Sequence, residues 1–131
     1  MQATQLLSKQ HRKVEALFRK LERKNPDADA LVEELANDLV AHMAIEQELF
    51  YPAVRAVDET LVLESYEEHA LAEMALKRLL ATNPEDEAFK ARVTALKELI
   101  QHHVKEEEEE LFPKVEKKLG EEKLKQLGKQ M

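Results

Sequence analysis

Four stretches of this chain carry apolar residues three and four positions apart, and a histidine interrupts each one. The first reads Leu7, His11, Val14, Phe18, Leu21, and the second Val32, Leu35, Leu39, His42, Glu46, Leu49. The third reads Val62, Tyr66, His69, Glu73, Leu76, Leu80, and the fourth Phe89, Val93, Leu96, Ile100, His103, Glu107. Such spacing lays an apolar stripe along one face of an α-helix, and helices of this kind bury their stripes by packing against one another. The expected fold is therefore all-α, an up-down-up-down antiparallel four-helix bundle. Its interior would have to hold seven ionisable side chains: His11, His42, Glu46, His69, Glu73, His103 and Glu107.

With 5% aromatic residues, 2 Gly and 4 Pro, the composition also favours helices over turn-rich sheets. A length of 131 residues suits one domain, 1–131, with one core. The pattern breaks at Asn25-Pro26-Asp27, from Tyr51-Pro52 to Thr60, and at Thr82-Asn83-Pro84-Glu85. Asn25 and Asn83 each precede a proline and acidic residues, which is how an N-cap followed by proline at the first helical position reads. The bundle is expected over about residues 3–118. Gly120 should then end a segment, and a short C-terminal fifth helix over about 121–128 would lay Leu124 and Leu127 across one end of the bundle.

Residues i and i+4 on a helix lie about 6 Å apart along the axis and about 40° apart around it. His42/Glu46, His69/Glu73 and His103/Glu107 are such pairs, each able to bind one metal ion or bridge two. Counting residues to the turns sets His11, His42 and His69 level. His103 matches less well, and a longer loop through Asp86 would absorb the difference. Without a cation, burying these groups would cost on the order of several kcal/mol for each charge. The chain has no Cys, which excludes thiolate sites, iron–sulfur clusters, disulfides and cysteine nucleophiles. Imidazole and carboxylate together suit iron, manganese or zinc, whereas calcium and magnesium prefer oxygen shells. Seven ligands exceed one tetrahedral zinc and fit two ions of five or six positions each.

An internal repeat supports this reading. His42-Met-Ala-Ile-Glu46 is followed by Pro52, and His103-Val-Lys-Glu-Glu107 by Pro113, each proline ten residues after its histidine. With the isolated His11 in Leu6-Leu7-Ser-Lys-Gln-His11, and Glu67-Glu68-His69-Ala-Leu-Ala-Glu73 between the copies, the sequence resembles the hemerythrin-like HHE cation-binding domain family over nearly its whole length. The resemblance implies a non-haem di-iron centre. Position by position it gives His69, Glu73 and His103 to one iron, His11 and His42 to the other, and Glu46 and Glu107 as bridges. The sequence departs from the oxygen-carrying hemerythrins in having Glu73 where they place a further His, and Glu four residues after the last His rather than Asp five after. A third carboxylate would stabilise ferric iron and favour reaction with peroxide or oxygen over reversible binding.

Glu68 competes with Glu73 for the site if the third helix rotates, whereas His102 lies about 100° off the stripe and reads as surface. Glu106, Glu109 and Glu110 read as a solvated face, and Tyr66 as core or as a hydrogen-bond donor to a ligand. The net charge of -7 argues against a nucleic-acid partner or an anionic membrane surface. With no long apolar run, a cytoplasmic protein is expected. The functional expectation is a di-iron protein that binds or reacts with oxygen, peroxide or nitric oxide, and any turnover would be catalase- or peroxidase-like. The alternatives are an iron-binding storage or sensing module without turnover, and a purely structural bundle.

Overall fold

The computed structural model describes residues 1–23 and 25–131, and no strand occurs among them. Helix α1 covers Ala3–Leu21 and α2 covers Ala28–Ile45; α2 runs through a wider turn, Glu46–Phe50, into the short α3, Tyr51–Val54. Helix α4 covers Glu59–Leu80. Helix α5 covers Phe89–Glu106 and continues through a second wide turn, Glu107–Leu111, into α6, Phe112–Gln130. These make the four antiparallel legs expected from the stripes: α1, α2 with α3, α4, and α5 with α6. No helix is long and apolar enough to cross a membrane among the described residues.

The helix starts are later than the sequence suggests. Asn25 Oδ1 accepts from the Asp27 amide at 2.8 Å and Asn83 Oδ1 from the Glu85 amide at 2.9 Å, so both asparagines close local turns instead of capping helices. Asp86 Oδ1 accepts from the Ala88 amide at 2.8 Å, which prolongs the second turn until α5 begins at Phe89. This long connection absorbs the height mismatch between His69 and His103. The α4 start is conventional, with Asp58 accepting from the Leu61 amide at 3.1 Å and pairing with Lys114 at 2.7 Å.

Both wide turns are π-turns, in which the Tyr51 amide donates to the Glu46 carbonyl and the Phe112 amide to the Glu107 carbonyl. In a plain α-helix five residues turn about 140° past a full circle. The i→i+5 bond instead brings the fifth residue back over the first, so Tyr51 stacks over Glu46 and Phe112 over Glu107. Pro52 and Pro113 follow immediately. A proline ring clashes with the carbonyl four residues earlier in a regular helix, and the wider turn relieves that clash. On the second leg the shift brings Phe50 and Tyr51 inside and leaves Leu49 only half-buried.

Two apolar clusters fill the bundle. One holds Phe18, Leu35, Leu39, Leu79, Leu96 and Ile100, and the other Leu7, Phe50, Val62, Leu111, Phe112 and Leu124. The ionisable groups lie between them. The fifth helix expected beyond Gly120 is here the last part of α6, which turns sharply at Gly120 with φ 82° and ψ 167°. Past that turn Leu124 and Leu127 pack with Ala3 and Leu7 and close the end of the bundle where the chain begins.

Candidate metal centre

Six of the seven expected side chains meet between the two clusters: His11, His42, Glu46, His69, His103 and Glu107, all buried. They form two adjacent groups, His11, His42, Glu46 and Glu107 in one and Glu46, His69 and His103 in the other. Both glutamates reach across. Glu46 Oε1 is 3.1 Å from Nε2 of His42 and of His69, while Glu107 places Oε1 3.1 Å from His11 Nε2 and Oε2 3.2 Å from His103 Nε2.

Glu73 does not join them; it is exposed, which corrects the position taken from the resemblance. At about 100° per residue, Glu46 and Glu107 fall mid-arc among the buried residues of their helices, near Leu35 and Leu39 or Leu96 and Ile100. On α4 the buried arc lies on the other side of His69, through Ser65, Ala72, Leu76 and Leu79, so a residue four positions later points out. The expected stripe had drifted one position, from Ala72 to Glu73 and from Leu79 to Leu80. With Glu73 outside, the case for a ferric-stabilising third carboxylate has no geometric basis.

Tyr51, which sequence reasoning missed, occupies the space on the His69/His103 side. Its hydroxyl lies 3.2 Å from His69 Nε2 and 3.1 Å from His103 Nε2, and donates to Glu107 Oε2 at 2.5 Å. The signal was present: Tyr51 precedes Pro52 as Phe112 precedes Pro113, and the proline marks the π-turn that swings both rings inward. Burial and the charges of Glu46 and Glu107 push the Tyr51 phenol well above its usual range.

Three of the four imidazoles are oriented from behind. Nδ1 faces Gln10 Oε1 at 2.6 Å in His42, Glu108 Oε2 at 2.6 Å in His11, and Glu68 Oε1 at 2.8 Å in His103. An acceptor behind Nδ1 fixes the proton there and leaves Nε2 with a lone pair aimed at the centre, as a metal ligand requires. Burial lowers the affinity of His11 and His103 for protons, but Glu107 and its neighbours outweigh it and hold both above the ordinary imidazole range. Burial opposes ionisation of Glu46, yet His42 and the surrounding donors keep that carboxyl well below its usual range.

The donor set fits cations by a direct test. His11 Nε2, His42 Nε2, Glu46 Oε2 and Glu107 Oε1 are all buried and lack any hydrogen-bond partner. Orphaned buried polar atoms are rare in folded proteins, and four converging on one point call for an ion. Beside them lies a cavity of about 20 Å³, walled above the histidines by Val14, Leu39, Met43, Ala72, Ile100 and Val104. Met43, off the expected stripe, is thus part of its wall.

The comparisons agree with this geometry. The profile of the Hemerythrin family, described as the hemerythrin HHE cation binding domain, matches residues 2–115. The chain belongs to that family. The crystal structure of a hemerythrin HHE cation binding domain-containing protein from Mycobacterium kansasii superimposes with a TM-score of 0.87 at 27% identity, covering 99% of this chain and 82% of that one. A DNA nickase of Nostoc is 33% identical over 120 aligned positions, an alignment that covers 88% of this chain and 34% of the nickase. The chain thus spans about a third of the length of that relative.

Proposed function

We propose that the chain holds two iron ions, His11 and His42 binding one and His69 and His103 the other, with Glu46 and Glu107 bridging, and that the centre reacts with peroxide, oxygen or nitric oxide. The observation that carries this is the set of four buried donor atoms without a hydrogen bond on His11, His42, Glu46 and Glu107, beside the adjacent group of Glu46, His69 and His103. Manganese or zinc would satisfy the same donors. An iron pair, when bound, supplies one-electron redox chemistry and Lewis acidity at adjacent positions.

The protein's own residues do the rest. Gln10, Glu108 and Glu68 keep three imidazoles oriented, and Tyr51 holds a proton against Glu107 at the wall of the site. The cavity is about one or two water molecules in size, so it admits a diatomic molecule or peroxide and excludes larger substrates. Its apolar wall keeps bulk water from the reacting positions.

Elemental analysis and an optical spectrum of aerobically purified protein, with an assay of peroxide consumption, test the reading. Two irons per chain, near-ultraviolet and visible absorption and peroxide loss that Glu46→Gln abolishes are expected; a sample that takes up no transition metal overturns it. A second reading, an iron-sensing module without turnover, draws on the Nostoc relative, in which the similar region is one part of a longer protein. Metal-dependent melting without consumption of peroxide, oxygen or nitric oxide would select it. The nickase name does not by itself bring nucleic acid to this chain, whose charge of -7 opposes contact with phosphates.

A further inference from the structure

Beside the buried centre, between α4 and α5, an open groove is lined by Glu64, Glu67, Glu68, His102 and Glu106 together with Thr60, Leu63 and Tyr66. No Lys or Arg is among these described lining residues. His102 Nε2 stands 3.0 Å from Glu106 Oε1 and 3.5 Å from Glu68 Oε2, so one imidazole and two carboxylates offer donors around a single point. The second Glu106 oxygen, Oε2, is buried and has no hydrogen-bond partner. The His102 side chain is 67% exposed, which leaves room for water to complete a coordination shell.

We propose that Glu68, His102 and Glu106 form a surface site for a divalent transition-metal ion, through which ions reach the buried centre. It rests on the reading of that centre as a metal site. One imidazole with two carboxylates is a borderline N/O set of the kind that takes ferrous, manganous or zinc ions. The uncompensated carboxylates of the groove raise the local concentration of cations.

Glu68 connects the two places. Its Oε2 faces His102 in the groove while its Oε1 accepts from His103 Nδ1, and the same side chain lines the inner cavity. It therefore stands as the partition between groove and cavity, and rotation of one carboxylate exchanges an outer partner for an inner one.

Zinc binding to the full chain, measured by equilibrium dialysis, tests the surface site. His102→Ala/Glu106→Gln is expected to bind one equivalent fewer than wild type; both positions are outside the core, so folding is not at stake. An unchanged zinc count in that variant overturns the site. His42→Gln, on the far side of the centre, is expected to lose buried zinc and keep the outer ion; a wild-type count there would instead refute the buried centre. The inward passage is tested by mixing metal-free protein with Co2+ and following growth of its visible bands. Uptake in the His102→Ala/Glu106→Gln variant should be roughly tenfold slower, in line with the lost focusing of cations. Equal rates overturn the passage.

Discussion

Removing metal should destabilise this bundle strongly, and the structure sets the scale. Four buried donor atoms, His11 Nε2, His42 Nε2, Glu46 Oε2 and Glu107 Oε1, make no hydrogen bond within the protein, and only the 3.1 Å approaches of His11 to Glu107 and of His42 to Glu46 offset their burial. A buried polar atom left unsatisfied costs about 1–3 kcal/mol. In the metal-free chain the carboxylates and imidazoles share protons and water can enter, so the lower end applies, a total of about 4–6 kcal/mol. For a chain of this size, 1 kcal/mol moves the melting temperature by roughly 3–5 °C, giving an expected loss of about 12–30 °C. The assay is thermal unfolding followed by circular dichroism, comparing chelator-treated protein with the same sample reloaded with ferrous iron or zinc. Above saturation, stability should also rise by about 1.4 kcal/mol per bound ion, so about 2.8 kcal/mol for a two-ion centre, for each tenfold increase in free metal, as binding to the native state alone requires. A difference below about 3 °C, or one independent of metal concentration, would refute the assignment of these atoms to a metal centre.

Other perturbations probe separate parts of the structure. Glu73→Gln should leave the number of bound metal ions unchanged by elemental analysis; loss of an ion would mean that α4 sits rotated from the orientation described. Asp58→Ala removes the α4 cap and the partner of Lys114, with an expected loss of about 1 kcal/mol in urea unfolding. The Lys114 bond and the Leu61 amide hold the Asp58 carboxyl below its usual value, so its contribution is present above the unfolded-state pKa and disappears as pH falls through the lower folded value. The wild-type advantage over Asp58→Ala should accordingly shrink in acid, and an advantage that persists below both values contradicts the cap. Gly128→Ala would place a Cβ 2.2 Å from the Met1 carbonyl oxygen and 3.1 Å from the Ala3 amide. The start of the chain must then shift, at about 1–3 kcal/mol, measurable as a lower denaturation midpoint.

Much of the bundle is legible in the sequence because helical periodicity and buried charge constrain each other. A histidine in every stripe, with glutamate one turn later on three of them, leaves few ways to bury the apolar faces except around a shared polar layer. The parts that escape depend on fine rotation. His69 lies at one margin of the α4 buried arc, and a stripe traced from Val62 through Tyr66 reaches Glu73, while one traced through Ser65 reaches Ala72. Both tracks obey three-and-four spacing, so periodicity alone does not choose between them. The asparagines before Pro26 and Pro84 show a similar ambiguity. A residue suited to cap a helix is equally suited to close an Asx turn, and here the turn wins at both positions.

The two π-turns explain why a near-symmetric repeat makes an asymmetric centre. His42, Glu46, Tyr51 and Pro52 occupy the same places in their hairpin as His103, Glu107, Phe112 and Pro113 in the other, and each proline forces the same widening of its helix. The copies therefore present equivalent histidines, and glutamates that each reach histidines on both sides of the centre. They differ where the widened turn points its ring. Phe112 lies parallel to His11 with centroids 6.0 Å apart and offers no polar atom, whereas Tyr51 brings a hydroxyl to His69, His103 and Glu107. One half of the centre is thus closed by hydrocarbon and the other by a proton donor. An ion held by His69 and His103 would have a phenol at its side that an ion held by His11 and His42 would lack, and the difference resides in a single residue of the repeat.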